Sequence, residues 1–139
     1  MLRNGEAVFV DTGAWAALAA EQDALHTRAV LAWNDLAASG ARLHSSIPVV
    51  LETFTFLERR IHRDIANRWR ESLEEVPRFT IDECTRDDLA QSWAYLRRTD
   101  LHRLSAVDAT SFVIMNRLGI RVAFSFDHHF ASVGFRLIG

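Results

Sequence analysis

Apolar positions along the chain change their spacing several times, and each change marks a new element. Ala7-Val8-Phe9-Val10 is a continuous apolar run ending at Asp11, the pattern of a strand buried on both faces. Asp11-Thr12-Gly13 then opens an alanine-rich stretch that predicts a helix from Ala14 to Ala20. Leu25, Ala29, Trp33 and Leu36 recur at helical spacing, and Ser39-Gly40 ends this second helix. Ala41-Arg42-Leu43-His44 predicts a weak strand. Ser45-Ser46-Ile47-Pro48 reads as a cap with proline in the first turn, so a helix from 47 to 60 should follow. Another, from 62 to 75, should form an antiparallel pair with it.

Arg78-Phe79-Thr80-Ile81 alternates and predicts a strand, after which Asp82 can cap a helix from Glu83 to Arg98. Ser105 can cap a helix over 106–118 that Gly119 terminates. Val122 to Phe126 predicts a strand ending at Asp127, and Phe135 to Ile138 a last one. Strands separated by helices imply an α/β fold: a parallel sheet covered by helices on both faces. No linker, repeat or low-complexity segment interrupts the chain, so residues 1–139 read as a single domain.

Composition narrows the chemistry. The chain has 139 residues, 49% of them hydrophobic and 24% charged, which suits one globular domain. A formal net charge of −2 creates no bulk positive field. All 16 basic residues are arginine, so every mechanism that needs a lysine is excluded, including the phosphate-cradling P-loop and Schiff-base chemistry. The single cysteine, Cys84, excludes an internal disulfide and a cysteine metal knuckle and suits a reducing compartment. The first apolar run is too short for a signal segment or membrane span, so the expected location is the cytoplasm. The six glycines form no Gly-x-Gly-x-x-Gly loop, which disfavours a dinucleotide site.

Four carboxylates stand out by position. Ligands of open parallel sheets bind outside the carboxyl ends of the strands, and Asp11 and Asp127 each follow a strand-like run. Helix capping is the alternative role for both. Glu52 shares a helical stripe with Val49 and Phe56, and Asp108 is flanked by Leu104, Phe112 and Met115. A carboxylate on a core-facing stripe is costly unless it is paired or binds a metal, and the alternative partners are Arg59 and Arg121. As a set, the four can converge on one pocket, where their repulsion is tolerated if a cation sits among them. An all-oxygen site fits Mg²⁺ or Mn²⁺ better than Zn²⁺, as one ion or two, and its natural chemistry is metal-assisted phosphodiester hydrolysis.

Four ordered segments resemble the PIN-domain ribonuclease toxins of bacterial VapBC-type toxin–antitoxin pairs. They are Val8 to Thr12, the helix carrying Glu52 and Leu57, Leu104 to Phe112, and Phe124 to Phe130 with Gly134-Phe135 after it. The resemblance implies a three-layer αβα fold with a central parallel sheet of four or five strands. It implies an endoribonuclease whose core Mg²⁺ ligands are Asp11, Glu52 and Asp108, with Asp127 as the fourth acid. Thr12 and Ser125 stand where the family commonly has a hydroxyl near the site, with capping or strand-end hydrogen bonding as the alternative role, while Gly13 departs from the frequent serine. The implied partners are an RNA substrate, a small antitoxin and a second copy of the chain. A catalytically silent scaffold that binds RNA or protein, and a small metal phosphohydrolase, are the competing functions.

Other residues carry weaker signals. His128 and His129 are adjacent, so their side chains diverge and should not share one ion; structural or surface roles are expected. His26, His44, His62 and His102 have no zinc-like spacing. Trp15, Trp33, Trp69 and Trp93 are expected in the core, with Trp15 and Trp33 also placed to form an apolar groove for an antitoxin helix. Arg59-Arg60 with Arg63, and Arg97-Arg98 with Arg103, are candidate phosphate contacts on solvated faces. Without the four candidate ligands, the formal −2 becomes +2, so the acidity belongs largely to the proposed site.

Overall fold

The computed structural model describes residues 2–139. Five strands, β1 (Ala7–Val10), β2 (Arg42–Ser46), β3 (Phe79–Asp82), β4 (Val122–Phe124) and β5 (Arg136–Ile138), form one sheet in the order β3-β2-β1-β4-β5. Every pairing is parallel, with Phe9 opposite His44 on one side and Ala123 on the other. Val8, Phe9 and Val10 are completely buried, as the unbroken apolar run requires of a central parallel strand.

Helices α1 (Thr12–Ala19), α2 (His26–Ala38), α3 (Ile47–Arg60) and α4 (Arg63–Ser72) connect β1, β2 and β3. Helices α5 (Arg86–Leu96), α6 (Ala106–Leu118) and the short α7 (His129–Ser132) connect β3, β4 and β5. From β1 the strand order runs outward to β3, then returns to β4 on the other side of β1. Right-handed crossovers therefore set the two groups of helices on opposite faces. Each group has its own aromatic cluster. Trp15 lies 5.7 Å from Trp33, 5.9 Å from Trp69 and 5.6 Å from Phe79 between ring centroids. Phe112 lies 5.2 Å from Tyr95, 4.9 Å from Phe130 and 6.0 Å from Phe135. Each such ring, once buried, contributes about 1.5–3 kcal/mol over its exposed state.

Several expectations need correction. Helix α5 begins at Arg86 instead of Glu83, because Thr85 and Asp88 form a reciprocal capping box while Asp82 ends β3 and meets His44 Nδ1 at 2.8 Å. Strand β4 stops at Phe124; the Ser125 N–H still donates to Ile138 O on β5 at 3.1 Å, and Phe126 leaves the ladder before Asp127. Trp93 is 48% exposed instead of buried, whereas Trp15 and Trp69 are core residues and Trp33 packs against them. Gly119 ends α6 at φ +70°, a left-handed turn in which glycine carries no Cβ penalty. No helix among the described residues is long and apolar enough to cross a membrane.

Candidate metal centre

The strand order reverses between β1 and β4, and the carboxyl ends of strands at such a switch point are where open α/β sheets bind ligands. Asp11 follows β1 directly. Its backbone carbonyl accepts the first bond of α1 from Trp15 N–H, but its side chain makes no cap bond. One carboxylate oxygen, Oδ2, accepts from Ser125 Oγ at 3.0 Å; the other, Oδ1, is buried with no hydrogen-bond partner. Ser125 Oγ in turn accepts from the Asp127 backbone N–H at 3.0 Å. One hydroxyl thus ties Asp11 to the loop that carries Asp127.

Glu52 comes from the second turn of α3, which Ser46 caps by accepting from Val49 N–H. Its Oε1 accepts from Thr12 Oγ1 at 2.7 Å, across from the start of α1. The stripe on which it was expected is only half apolar and buried: Val49 is inside, Phe56 is 39% exposed, and Glu52 sits at the rim. Asp108 occupies the first turn of α6, capped by Ser105, whose Oγ accepts from Asp108 N–H at 3.0 Å. Asp127 does perform the capping role in part, since its Oδ1 accepts from His129 N–H at 2.9 Å.

Electrostatics shows how closely these groups crowd. Burial, then the charge of Asp108, raises the Asp11 carboxyl from 3.8 to about 7 against the opposing Ser125 hydrogen bond. Burial, then Asp127 and Glu52, raises Asp108 from 3.8 to about 6, although a helix N-terminus favours a carboxylate. Among the described residues neither Arg59 nor Arg121 forms an ion pair with Glu52 or Asp108. Asp108, Asp127 and His129 each offer a ligand atom within 4.8 Å of the others, and no other three such side chains among the described residues come so close.

Family comparison agrees with this topology: the sequence profile of the PIN domain matches residues 8–136. The chain belongs to the PIN-domain family. This PIN-domain chain is 39% identical over 129 residues to the 23S rRNA-specific endonuclease VapC20 of Mycobacterium tuberculosis, covering 92% of this chain and 95% of that one. The crystal structure of M. tuberculosis VapC20, a sarcin-ricin loop cleaving toxin, matches with a TM-score of 0.79 at 36% identity over 92% of this chain and 95% of that one. FitAcB from Neisseria gonorrhoeae shares the fold at a TM-score of 0.67 and 17% identity, over 95% and 96% of the two chains. VapBC2 from Rickettsia felis, bound to a promoter DNA fragment, shares it at 0.69 and 10%, over 94% and 96%.

The donor set of this PIN domain suits a hard divalent cation. Asp11 Oδ1 is a buried oxygen lacking a partner, its neighbours are carboxylates, and the single cysteine, Cys84, is outside the cluster of ligand atoms. Thr12 and Ser125 both hydrogen-bond to acids, in keeping with the hydroxyls near the site that the family resemblance implied. The residue missed by sequence reasoning is His129. The expected divergence of the adjacent histidines is not seen: their ring centroids lie 4.6 Å apart, with His128 84% exposed and its Nδ1 4.0 Å from Asp127 Oδ1, and the His129 side chain 10% exposed with its Nδ1 2.9 Å from the same oxygen.

Proposed function

We propose that this PIN-domain chain is a metal-dependent endoribonuclease of the toxin type, with Asp11, Glu52, Asp108 and Asp127 holding Mg²⁺ or Mn²⁺. The observation that carries the proposal is the buried, unpartnered Asp11 Oδ1 among mutually repelling carboxylates at the sheet switch point. A structural acid so placed would be expected to find an arginine. A divalent ion bound there acidifies water and offsets negative charge on a phosphodiester in the transition state.

The chain's own residues prepare that chemistry. Ser125 donates to Asp11 Oδ2 and so leaves Oδ1 available, where it would hold a cation. Thr12 holds Glu52 by Oε1, orienting its second oxygen, and Ser105 anchors the turn that presents Asp108. RNA has a path to these groups: a groove of about 540 Å³ beside Glu52 is lined by Leu51, Phe56 and Val107 together with Arg59 and Arg60, whose guanidinium planes suit phosphate. Because the most similar relative described above is a 23S rRNA-specific endonuclease, ribosomal RNA is the first substrate to test.

The proposed protein partner is a small antitoxin whose helix fills the apolar groove of about 810 Å³ between α1, α2 and α4, lined by Trp15, Leu18, Trp33, Ile61 and Trp69. A second copy is the proposed partner for the exposed apolar side chains Leu89 and Trp93. The functional test is an RNA panel that includes intact ribosomes, incubated in Mg²⁺ and mapped for new ends. Specific cleavage is expected. Binding without cleavage would favour a silent scaffold, and turnover of a phosphomonoester with intact RNA would favour a small-molecule phosphohydrolase.

A further inference from the structure

We propose that His129 is a nitrogen ligand for the cation held by Asp108 and Asp127, and that it biases this position towards Mn²⁺ over Mg²⁺. The inference rests on the metal-dependent reading above and adds a donor of a different class to it. His129 opens α7, its side chain is nine-tenths buried, and its Nδ1 has no hydrogen-bond partner. That nitrogen lies 2.9 Å from Asp127 Oδ1, yet the oxygen is already engaged by the backbone N–H of His129 itself, and the ring is misaligned for a second bond. Two adjacent ligands of an octahedral ion with bonds of about 2.1 Å lie about 3.0 Å apart, so this separation suits shared coordination.

The placement is rigid. Phe130, the next residue, is fully buried and stands edge-on to Phe112 at 4.9 Å, which fixes α7 and the start of its backbone. Asp108, on the same helix as Phe112, supplies the third donor within the 4.8 Å cluster. Carboxylates alone suit Mg²⁺; adding an imidazole shifts the preference towards transition-metal ions.

The test is to add Mn²⁺ to the metal-free full chain, count bound ions by continuous-wave EPR, and look for directly coordinated ¹⁴N by pulsed EPR. Wild type is expected to show ¹⁴N coupling that converts to ¹⁵N on histidine labelling, so the result does not depend on a variant folding. His129→Gln should lose the coupling and bind Mn²⁺ about tenfold or more weakly, with Mg²⁺ binding little changed. His128→Gln should keep both. Bound Mn²⁺ without histidine nitrogen coupling would overturn the role of His129 and leave the carboxylate site standing. Failure to bind Mn²⁺ at all would overturn both.

Discussion

Asp11→Asn is expected to stabilise the metal-free protein at neutral and alkaline pH while removing the proposed metal-dependent cleavage. In the fold, burial and the Asp108 charge raise the Asp11 carboxyl from 3.8 to about 7. The folded state then holds this proton more tightly than the unfolded chain. Stability from this group is accordingly full below about pH 4 and is lost as the pH rises through about 7. At about 1.4 kcal/mol for each tenfold change in proton affinity, the rise corresponds to roughly 4 kcal/mol of destabilisation at pH 8.

Asparagine carries no charge to desolvate and can still accept from Ser125 Oγ. Its amide nitrogen then needs an acceptor, at about 1–3 kcal/mol if none is found. The net gain is about 1–3 kcal/mol at pH 8, or roughly 3–10 °C in melting temperature for a domain of this size. Thermal and urea unfolding in EDTA at pH 5 and pH 8 measure it. The variant should melt higher at pH 8, the margin should shrink towards pH 5, and added Mg²⁺ should stabilise wild type alone. A margin independent of pH, or a wild type more stable than the variant at pH 8 in EDTA, would show that the Asp11 charge does not destabilise the fold.

Ser125→Ala removes the hydrogen bond that opposes the rise in Asp11, so Mg²⁺ binding should weaken and the acid limb of the pH–rate profile should move upward, with circular dichroism unchanged. Arg117 grips the fully buried Asp88 through two contacts of 2.9 Å, joining α6 to α5. Arg117→Ala strands that carboxylate and should cost about 2–3 kcal/mol in urea unfolding, less than a wholly buried pair because the arginine is partly exposed. Gly119→Ala meets no neighbouring atom, so its expected loss of about 1 kcal/mol comes from the left-handed backbone alone, and Mg²⁺ titration should be unaltered.

The main elements were legible because each had a local cause. The run Ala7–Val10 has only one buried solution, Pro48 after Ser46 marks a helix start, and Gly119 marks a helix end. Where two signals competed, the nearer one misled: Asp82 precedes Thr85, but only Thr85 has a partner three residues on, in Asp88, with which to close a capping box. Helix α7 spans a single turn and leaves no period to detect. Arg78 and Arg103 adopt φ +52° and +60°, left-handed turns that arginine as a residue type does not announce.

The site divides in the same way. Asp11 could be placed from strand order alone, since it ends a buried run. Glu52 and Asp108 were recognisable as acids on apolar helices, yet both lie at the rim and are only partly buried. The roles of Thr12 and Ser125 depend on pairs 40 and 114 residues apart, so the hydrogen bonds themselves required the fold. His129 was hidden by His128, because only the packing of Phe130 shows which of the two turns inward.

The most direct test of the central claim is RNA cleavage by the purified chain as a function of free Mg²⁺, beside Asp108→Asn, the acid whose charge acts on Asp11 and which Asp127 and Glu52 raise in turn. Cleavage that rises and saturates with Mg²⁺, stops in excess EDTA, returns on adding the ion back, and is absent from the folded variant is the predicted result. Wild-type cleavage persisting in excess EDTA, or undiminished in Asp108→Asn, would contradict a cation held by these carboxylates.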